Sequence, residues 1–150
     1  MLRWPGKLLV DADGLNALDG PGALRARQSP TIITPHAGEF RRLTDREATH
    51  DEAAELARHT RVTVVLKGNP TFVMAATGRW AVTSGGPELA TIGTGDVLAG
   101  LIAALWARGL GGDEAARSGA YWHGRAGADL AEAGTVTAVD LADAIGGYAW

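Results

Sequence analysis

Apolar residues along this chain follow two patterns. Short, nearly continuous runs of β-branched and aliphatic side chains alternate, early on, with stretches repeating at helical spacing. "KLLVD" (7–11) is an apolar run ending in an acid, which predicts a buried strand. "GALRARQ" (22–28) follows Pro21 and predicts a short helix, because proline presets the backbone at a helix start. "TIIT" (31–34) is β-branched throughout and predicts a second strand. Pro35 and His36 break it, and "AGEFRRLT" (37–44) predicts one or two helical turns. "HDEAAELARHT" (50–60) is rich in helix formers, with Ala53, Leu56 and Ala57 on one face. "VTVVL" (62–66) again predicts a strand covered on both sides.

Beyond the turn "KGNP" (67–70), the runs "TFVMA" (71–75) and "RWAV" (79–82) flank "ATG" and predict a hairpin. Residues 83–93 are rich in Gly and Pro and predict a loop. "GDVLAGLIAALWARGLGG" (95–112) places Val97, Leu98, Leu101, Ile102 and Leu105 on a wide helical stripe, with Gly109 as C-cap. "DEAARSGAYWHGRAGADLAEAG" (113–134) predicts a long helix capped by Asp113, and "TAVDLADAIGGYA" (137–149) a third. Strands alternate with helices first and helices cluster later. The expected class is therefore α/β, a mostly parallel sheet flanked by helices, in a single domain over 1–150. The scattered Trp4, Trp80, Trp106, Trp122 and Trp150 read as packing residues.

Composition narrows the function. With 150 residues, 46% hydrophobic, the chain can bury a sizeable core. The net charge of −3 and the lack of a basic stripe argue against a nucleic-acid groove. There is no cysteine, hence no disulfide framework or thiol chemistry. The opening "MLRWPGKLLVDADG" lacks the apolar run of a signal peptide, and no segment approaches the roughly 18–20 apolar residues of a membrane span. A cytoplasmic protein that engages no membrane is expected.

Four polar stretches carry candidate chemistry. In open α/β sheets, ligands bind outside the carboxyl ends of strands. Here the predicted strands run into "DADGLNAL", "TPHAGE" and "LKGNPT", and the long loop runs into "GTGD" (93–96), so all four could meet in one cleft. In "GTGD", Gly93, Thr94 and Gly95 open a helix whose N–H groups could hold a phosphate, glycine letting it approach closely. Asp96 is then either a helix cap or a base beside an anion. The dinucleotide fingerprint is incomplete, with Leu98 where its third glycine would fall, and no Gly-Lys-Ser/Thr makes a P-loop. Lys67 could face a phosphate or simply open a hairpin, and Gly68, Asn69, Pro70 and Thr71 add a turn and a hydroxyl. Asp11, Asp13 and Asn16 could hold Mg²⁺ or a sugar hydroxyl, or form a capped turn. His36 is a ligand candidate at a strand end. His50, His59 and His123 lie in helical patterns without metal-ligand spacing, so no protein metal centre is expected.

Taken in order, "DADGLNAL", "TPHAGEF", "VVLKGNPTFV", "PELATIGTGDVLAGLIAAL" and "YWHGRAGADLA" resemble the ADP-dependent NAD(P)H-hydrate dehydratase family, which has a ribokinase-like fold. The resemblance implies a hydro-lyase for nicotinamide nucleotide repair, which removes water from hydrated NADH or NADPH (NADHX, NADPHX) with ADP or ATP, and with Mg²⁺ as a possible companion. Asp96 would contact substrate as the catalytic base. His36, Asp13 and Asn16 would line the substrate, and Lys67, Gly68, Asn69, Pro70, Thr71, Gly93, Thr94 and Gly95 the nucleotide. "HAGE" has Ala37 where the family usually has proline. The family's domain carries a substantial part before "DADGLN", so the resemblance covers its C-terminal portion. An open sheet edge and a homo-oligomer are the expected consequences. A small-alcohol kinase of the same fold and an inactive nucleotide-binding remnant are the alternatives.

Overall fold

The computed structural model describes residues 2–147. The last residues of the helix predicted over 137–149, and Trp150, lie outside them. The chain divides into two compact units. One runs to Gly68 and adds Phe72–Ala81; the other comprises Asn69–Thr71 and the chain from Val82 onward.

The first unit holds, but for the end residues Thr71 and Val82, a sheet ordered β1 (Leu8–Val10), β2 (Thr31–Ile33), β3 (Thr63–Leu66), β4 (Thr71–Ala75) and β5 (Gly78–Val82). β1, β2 and β3 are parallel, with Leu9 opposite Ile32 and Ile32 opposite Thr63. β4 runs antiparallel to β3, with Val65 opposite Val73. The all-apolar runs form central strands because both faces are covered: Ile32, Ile33, Val64 and Val65 are fully buried. α1 (Asp13–Asn16), α2 (Gly22–Arg25), α3 (Ala37–Thr44) and α4 (His50–Thr60) connect the strands. Leu15, Leu24, Phe40 and Leu56 pack from these helices into the core. Burial of each such side chain is worth about 1.5–3 kcal/mol.

Two expectations are corrected here. α2 stops at Arg25 rather than at residue 28. Arg27 leaves the helix to bind the preceding segment, donating to the carbonyls of Leu2, Trp4 and Gly6 and to Thr31 Oγ1. Trp4 contributes that carbonyl, not ring packing: its side chain belongs to a residue 61% exposed.

The second unit is helical. A 3₁₀ turn at Pro87–Leu89 leads to α5 (Thr94–Ala107), α6 (Gly112–Ala131) and α7 (Ala138–Ile145), which pack on one another. α5 buries Leu98, Leu101, Ile102, Leu105 and Trp106. It ends at Ala107 with Arg108 as C-cap, and Gly109, the expected stop, follows at φ +114°, a left-handed conformation that ends a helix. α6 starts from an N-cap at Gly111, and Asp113 sits inside its first turn instead of capping it. α7 is capped by Thr137, whose hydroxyl accepts from Asp140 N. Among the described residues, no helix is long and apolar enough to cross a membrane.

Candidate functional site

The carboxyl ends of β1, β2 and β3 bring four ionisable side chains together in the first unit. The backbone sets this up: Lys67 N donates to Pro35 O at 2.8 Å, and His36 and Lys67 form a parallel bridge just past the strands. Lys67 Nζ lies 2.8 Å from Asp11 Oδ1 and 3.7 Å from Glu39 Oε2. Glu39 Oε2 also accepts from His36 N at 2.8 Å. His36 Nδ1 in turn accepts from Gly38 N at 2.9 Å and Glu39 N at 3.3 Å. This is a capping box in which histidine takes the place of serine or threonine.

The arrangement fixes what these groups offer. A ring nitrogen that accepts from backbone N–H groups carries no proton, so the neutral His36 ring bears its hydrogen on Nε2. The His36 side chain is 58% exposed while that of Glu39 is 8% exposed, so the ring turns outward and the carboxylate inward. Two carboxylates share one ammonium, and the Lys67 cation is already engaged by protein.

The turn after β1 is strained. Ala12 has φ 46° and ψ −121°, a region glycine enters freely and alanine only at a cost of about 1–3 kcal/mol. Asn16 Oδ1 accepts from Arg42 Nε at 2.9 Å, and Arg42 also donates to the carbonyls of Leu15 and Leu18. Asn16 is therefore tied to α3, whereas Asp13 is exposed in the first turn of α1. Thr34, at the end of β2, is fully buried and its hydroxyl has no partner among the described residues.

The second unit holds the other group. The N-cap of α5 is Gly93, at φ +87° and without a capping side chain. A side chain there would be strained and would also crowd Ala138. Asp96 is the third residue of the helix and is exposed, so it is not the cap. Thr94 N donates to Thr91 O and Val97 N to Gly93 O, leaving the N–H groups of Gly95 and Asp96 without a partner among the described residues. Both point out of the positive end of a 14-residue helix. Behind them Thr94 is buried, its hydroxyl shared between Leu89 O (2.6 Å) and Thr91 O (2.8 Å). Asn69, Pro70 and Thr71 belong to this unit and Lys67 and Gly68 to the first; the Asn69–Pro70 peptide is cis.

A cavity of about 300 Å³ in the first unit, lined by Pro21, Arg25, Phe40, Arg46, Glu52 and Leu56, includes none of these residues. No group of three or more His, Cys, Asp or Glu among the described residues is arranged to hold a metal ion.

Two participants lay beyond the sequence reading. Glu39 had a signal, since His-x-x-Glu at a strand end follows the spacing of a capping box. Arg42 gave none, because its partners are 24 to 27 residues away.

Comparison with known proteins supports the same assignment. The family model described as NAD(P)H-hydrate dehydratase matches residues 3–146. The bifunctional NAD(P)H-hydrate repair enzyme Nnr of Thermofilum pendens is 46% identical over 133 residues, covering 83% of this chain and 25% of that protein. Its namesake in Gloeobacter violaceus is 42% identical over 140 residues, 90% of this chain and 28% of that one. The chain thus spans about a quarter of the length of these curated relatives. Among solved structures, the ADP/ATP-dependent NAD(P)H-hydrate dehydratase of Bacillus subtilis, co-crystallised with ATP and Mg²⁺, superposes with a TM-score of 0.85 at 29% identity. That match covers 97% of this chain and 55% of that one. Ribokinase of Thermotoga maritima, 15% identical with a TM-score of 0.61, shares the fold alone. A ribokinase-like sheet with helices on its faces, a Gly-Thr-Gly-Asp helix start and a family match over nearly the whole length agree on one conclusion: the chain belongs to the NAD(P)H-hydrate dehydratase family.

Proposed function

We propose that this chain is the C-terminal part of a hydro-lyase domain that returns hydrated NADH or NADPH to the intact cofactor with the help of ADP or ATP. One observation carries the reading. Among the described residues, Asp96 presents an exposed carboxylate without a protein partner, beside two unpartnered N–H groups at the start of α5. A phosphate oxygen suits those N–H groups. In this reading the carboxylate accepts the hydroxyl proton of the hydrated nicotinamide. When bound, the nucleotide supplies the phosphoryl chemistry by which a hydroxyl becomes a leaving group. Gly93, Thr94 and Gly95 hold a nucleotide phosphate, and Lys67, Gly68, Asn69, Pro70 and Thr71 are further nucleotide-binding residues. Because Lys67 is neutralised by Asp11, its part is to fix that segment. His36, as an Nε2–H donor, hydrogen-bonds the substrate, together with Asp13 and Asn16. Mg²⁺ enters with the nucleotide phosphates.

Residues 1–150 form part of one dehydratase domain. β1 is an edge strand among the described residues, and its free backbone groups favour self-association. The enzyme acts in the cytoplasm, on a small molecule and without nucleic acid. Saturating ADP tests the nucleotide half of the reading: at 100 times Kd it stabilises the chain by about 2.7 kcal/mol, read as a rise in Tm. Recovery of dihydronicotinamide absorbance from NADHX, in a full-length protein carrying this segment, tests the rest. Release of ADP from ATP on a small alcohol, without action on NADHX, would establish the kinase reading that the ribokinase-like fold also permits. No response to ADP or ATP would leave a remnant.

A further inference from the structure

Of the five stretches that resemble the family, "YWHGRAGADLA" gives nothing to the site as described so far. It lies in the middle of α6, and its His123 is 6% exposed. Burial holds this imidazole below its ordinary pKa of 6.5, so the ring is neutral at neutral pH. His123 Nε2 lies 2.8 Å from Thr94 O. A carbonyl can only accept, so Nε2 bears the hydrogen and donates it.

Thr94 O and Gly95 N belong to the same planar peptide unit. In a trans peptide the C=O and the N–H point in opposite directions. A donor that grips the carbonyl from inside therefore aims the Gly95 N–H outward. It also polarises the unit, because a hydrogen bond at the carbonyl strengthens the N–H as a donor, by about 10–30% per bond. The surroundings keep His123 at this height. The next residue, Gly124, runs so close to the preceding loop that a Cβ there would come within 2.6 Å of Gly85 N. Ser84 Oγ, in that loop, donates to Tyr121 O at 2.8 Å. α6 is thus pinned to residues 84–85, and its histidine is brought to the first carbonyl of α5.

We infer that His123 is a positioning residue: through the Thr94–Gly95 peptide it aims and strengthens the Gly95 N–H for an anionic oxygen of a nucleotide phosphate. The ligand half of this rests on the proposed nucleotide site; the peptide half does not.

The experiment takes the chain as it is, with ¹⁵N labelling. In the wild type, long-range ¹H–¹⁵N spectra should show His123 as the neutral Nε2–H form at neutral pH; an Nδ1–H form or a charged ring would overturn the inference. His123→Leu should move the Gly95 amide proton upfield, and His123→Gln, which keeps an N–H donor, should restore most of that shift. Tm should follow the Gly95 shift in neither variant, as Leu fills the buried space. A Gly95 resonance unmoved in His123→Leu would refute the role. If His123→Leu does not fold, the wild-type ring spectrum and the Gly95 resonance of His123→Gln decide alone. Where wild type binds ADP, His123→Leu should weaken Kd about tenfold, the scale of one lost hydrogen bond, and His123→Gln should recover it. ADP binding unaffected by His123→Leu would refute the ligand half. Failure of wild type to bind ADP would sink the nucleotide reading, and the ligand half with it, while the Gly95 shift still decides the peptide half.

Discussion

The strand-end cluster of the first unit and the helix start of the second hold similar chemical groups in opposite conditions. At the strand ends every charge is spoken for: Asp11 and Glu39 flank Lys67, and Glu39 and His36 cap α3 for each other. At the start of α5 the outward groups are unspoken for among the described residues: a carboxylate without a partner and two N–H groups without acceptors. Groups already satisfied by protein have little left to offer a reacting molecule, and mainly hold geometry. Groups left unsatisfied at a surface are those a ligand can complete. Residue type alone did not separate the two, since both contain Asp and lie beside Gly-rich turns.

The largest expected effect breaks the comparison at Asp96. Asp96→Asn removes the proton acceptor and keeps the shape. In a full-length protein carrying this segment, NADHX turnover should fall by at least ~100-fold. Stability should change by less than about 1 kcal/mol, because the side chain makes no contact to lose and interacts only with the helix dipole. Near-normal turnover would mean that the unsatisfied carboxylate is incidental.

Lys67→Met makes the opposite cut. It leaves two carboxylates, in side chains 11% and 8% exposed, without their cation. Breaking a buried pair by removing one partner costs about 3–5 kcal/mol; some solvent reaches this one, so about 3 kcal/mol is expected. Urea unfolding measures it. A loss under about 1 kcal/mol would make the pair an ordinary surface bridge.

Much of the fold around both regions was legible before the structure. The spans of α3 and α4 match the sequence expectation to the residue, because both start at clear breaks and end at changes of pattern. The parallel order of β1, β2 and β3 followed from apolar runs separated by helices. What could not be read was pairing. That Lys67 belongs to Asp11, 56 residues earlier, depends on two strand ends meeting in space. Asp113 and Asp96 look alike in sequence, each directly after a glycine, and neither caps its helix. In both cases a glycine occupies the N-cap. Local propensity favours Asp as a cap, but a side chain at Gly93 would be strained at φ +87° and would crowd Ala138.

A smaller effect concerns pH. Burial lowers the His123 pKa below its ordinary 6.5. Between that lowered value and 6.5 the unfolded chain binds the proton and the folded chain does not. Falling pH therefore favours unfolding in this window: the contribution is complete above 6.5 and is lost as pH falls through the folded value. The slope from this group cannot exceed about 1.36 kcal/mol per pH unit, the value of one proton. Urea midpoints of wild type and His123→Gln across pH 7.5 to 5 should diverge, wild type falling more steeply. Parallel curves would mean that His123 is not the buried neutral donor that the helix start requires.

The smallest effect sharpens the first region. Ala37 is the first residue of α3. A proline there needs three things. The position must not need its N–H, and no partner for Ala37 N is present among the described residues. The preceding residue must be extended, and His36 has φ −80° and ψ 172°. The φ must suit the start of a helix, which is where proline is most readily accepted. All three hold, so Ala37→Pro should stabilise the chain by about 0.4–1 kcal/mol, chiefly by restricting the unfolded state. The capping box should survive, since Gly38 N, Glu39 N and His36 N, which make it, are untouched. A rise in Tm with an unchanged His36 ring spectrum would show that the strand-end group is geometrically saturated and only conformationally loose. A fall in Tm would show instead that the His36–Glu39 box needs the freedom alanine gives, and that this region is less rigid than its hydrogen bonds imply.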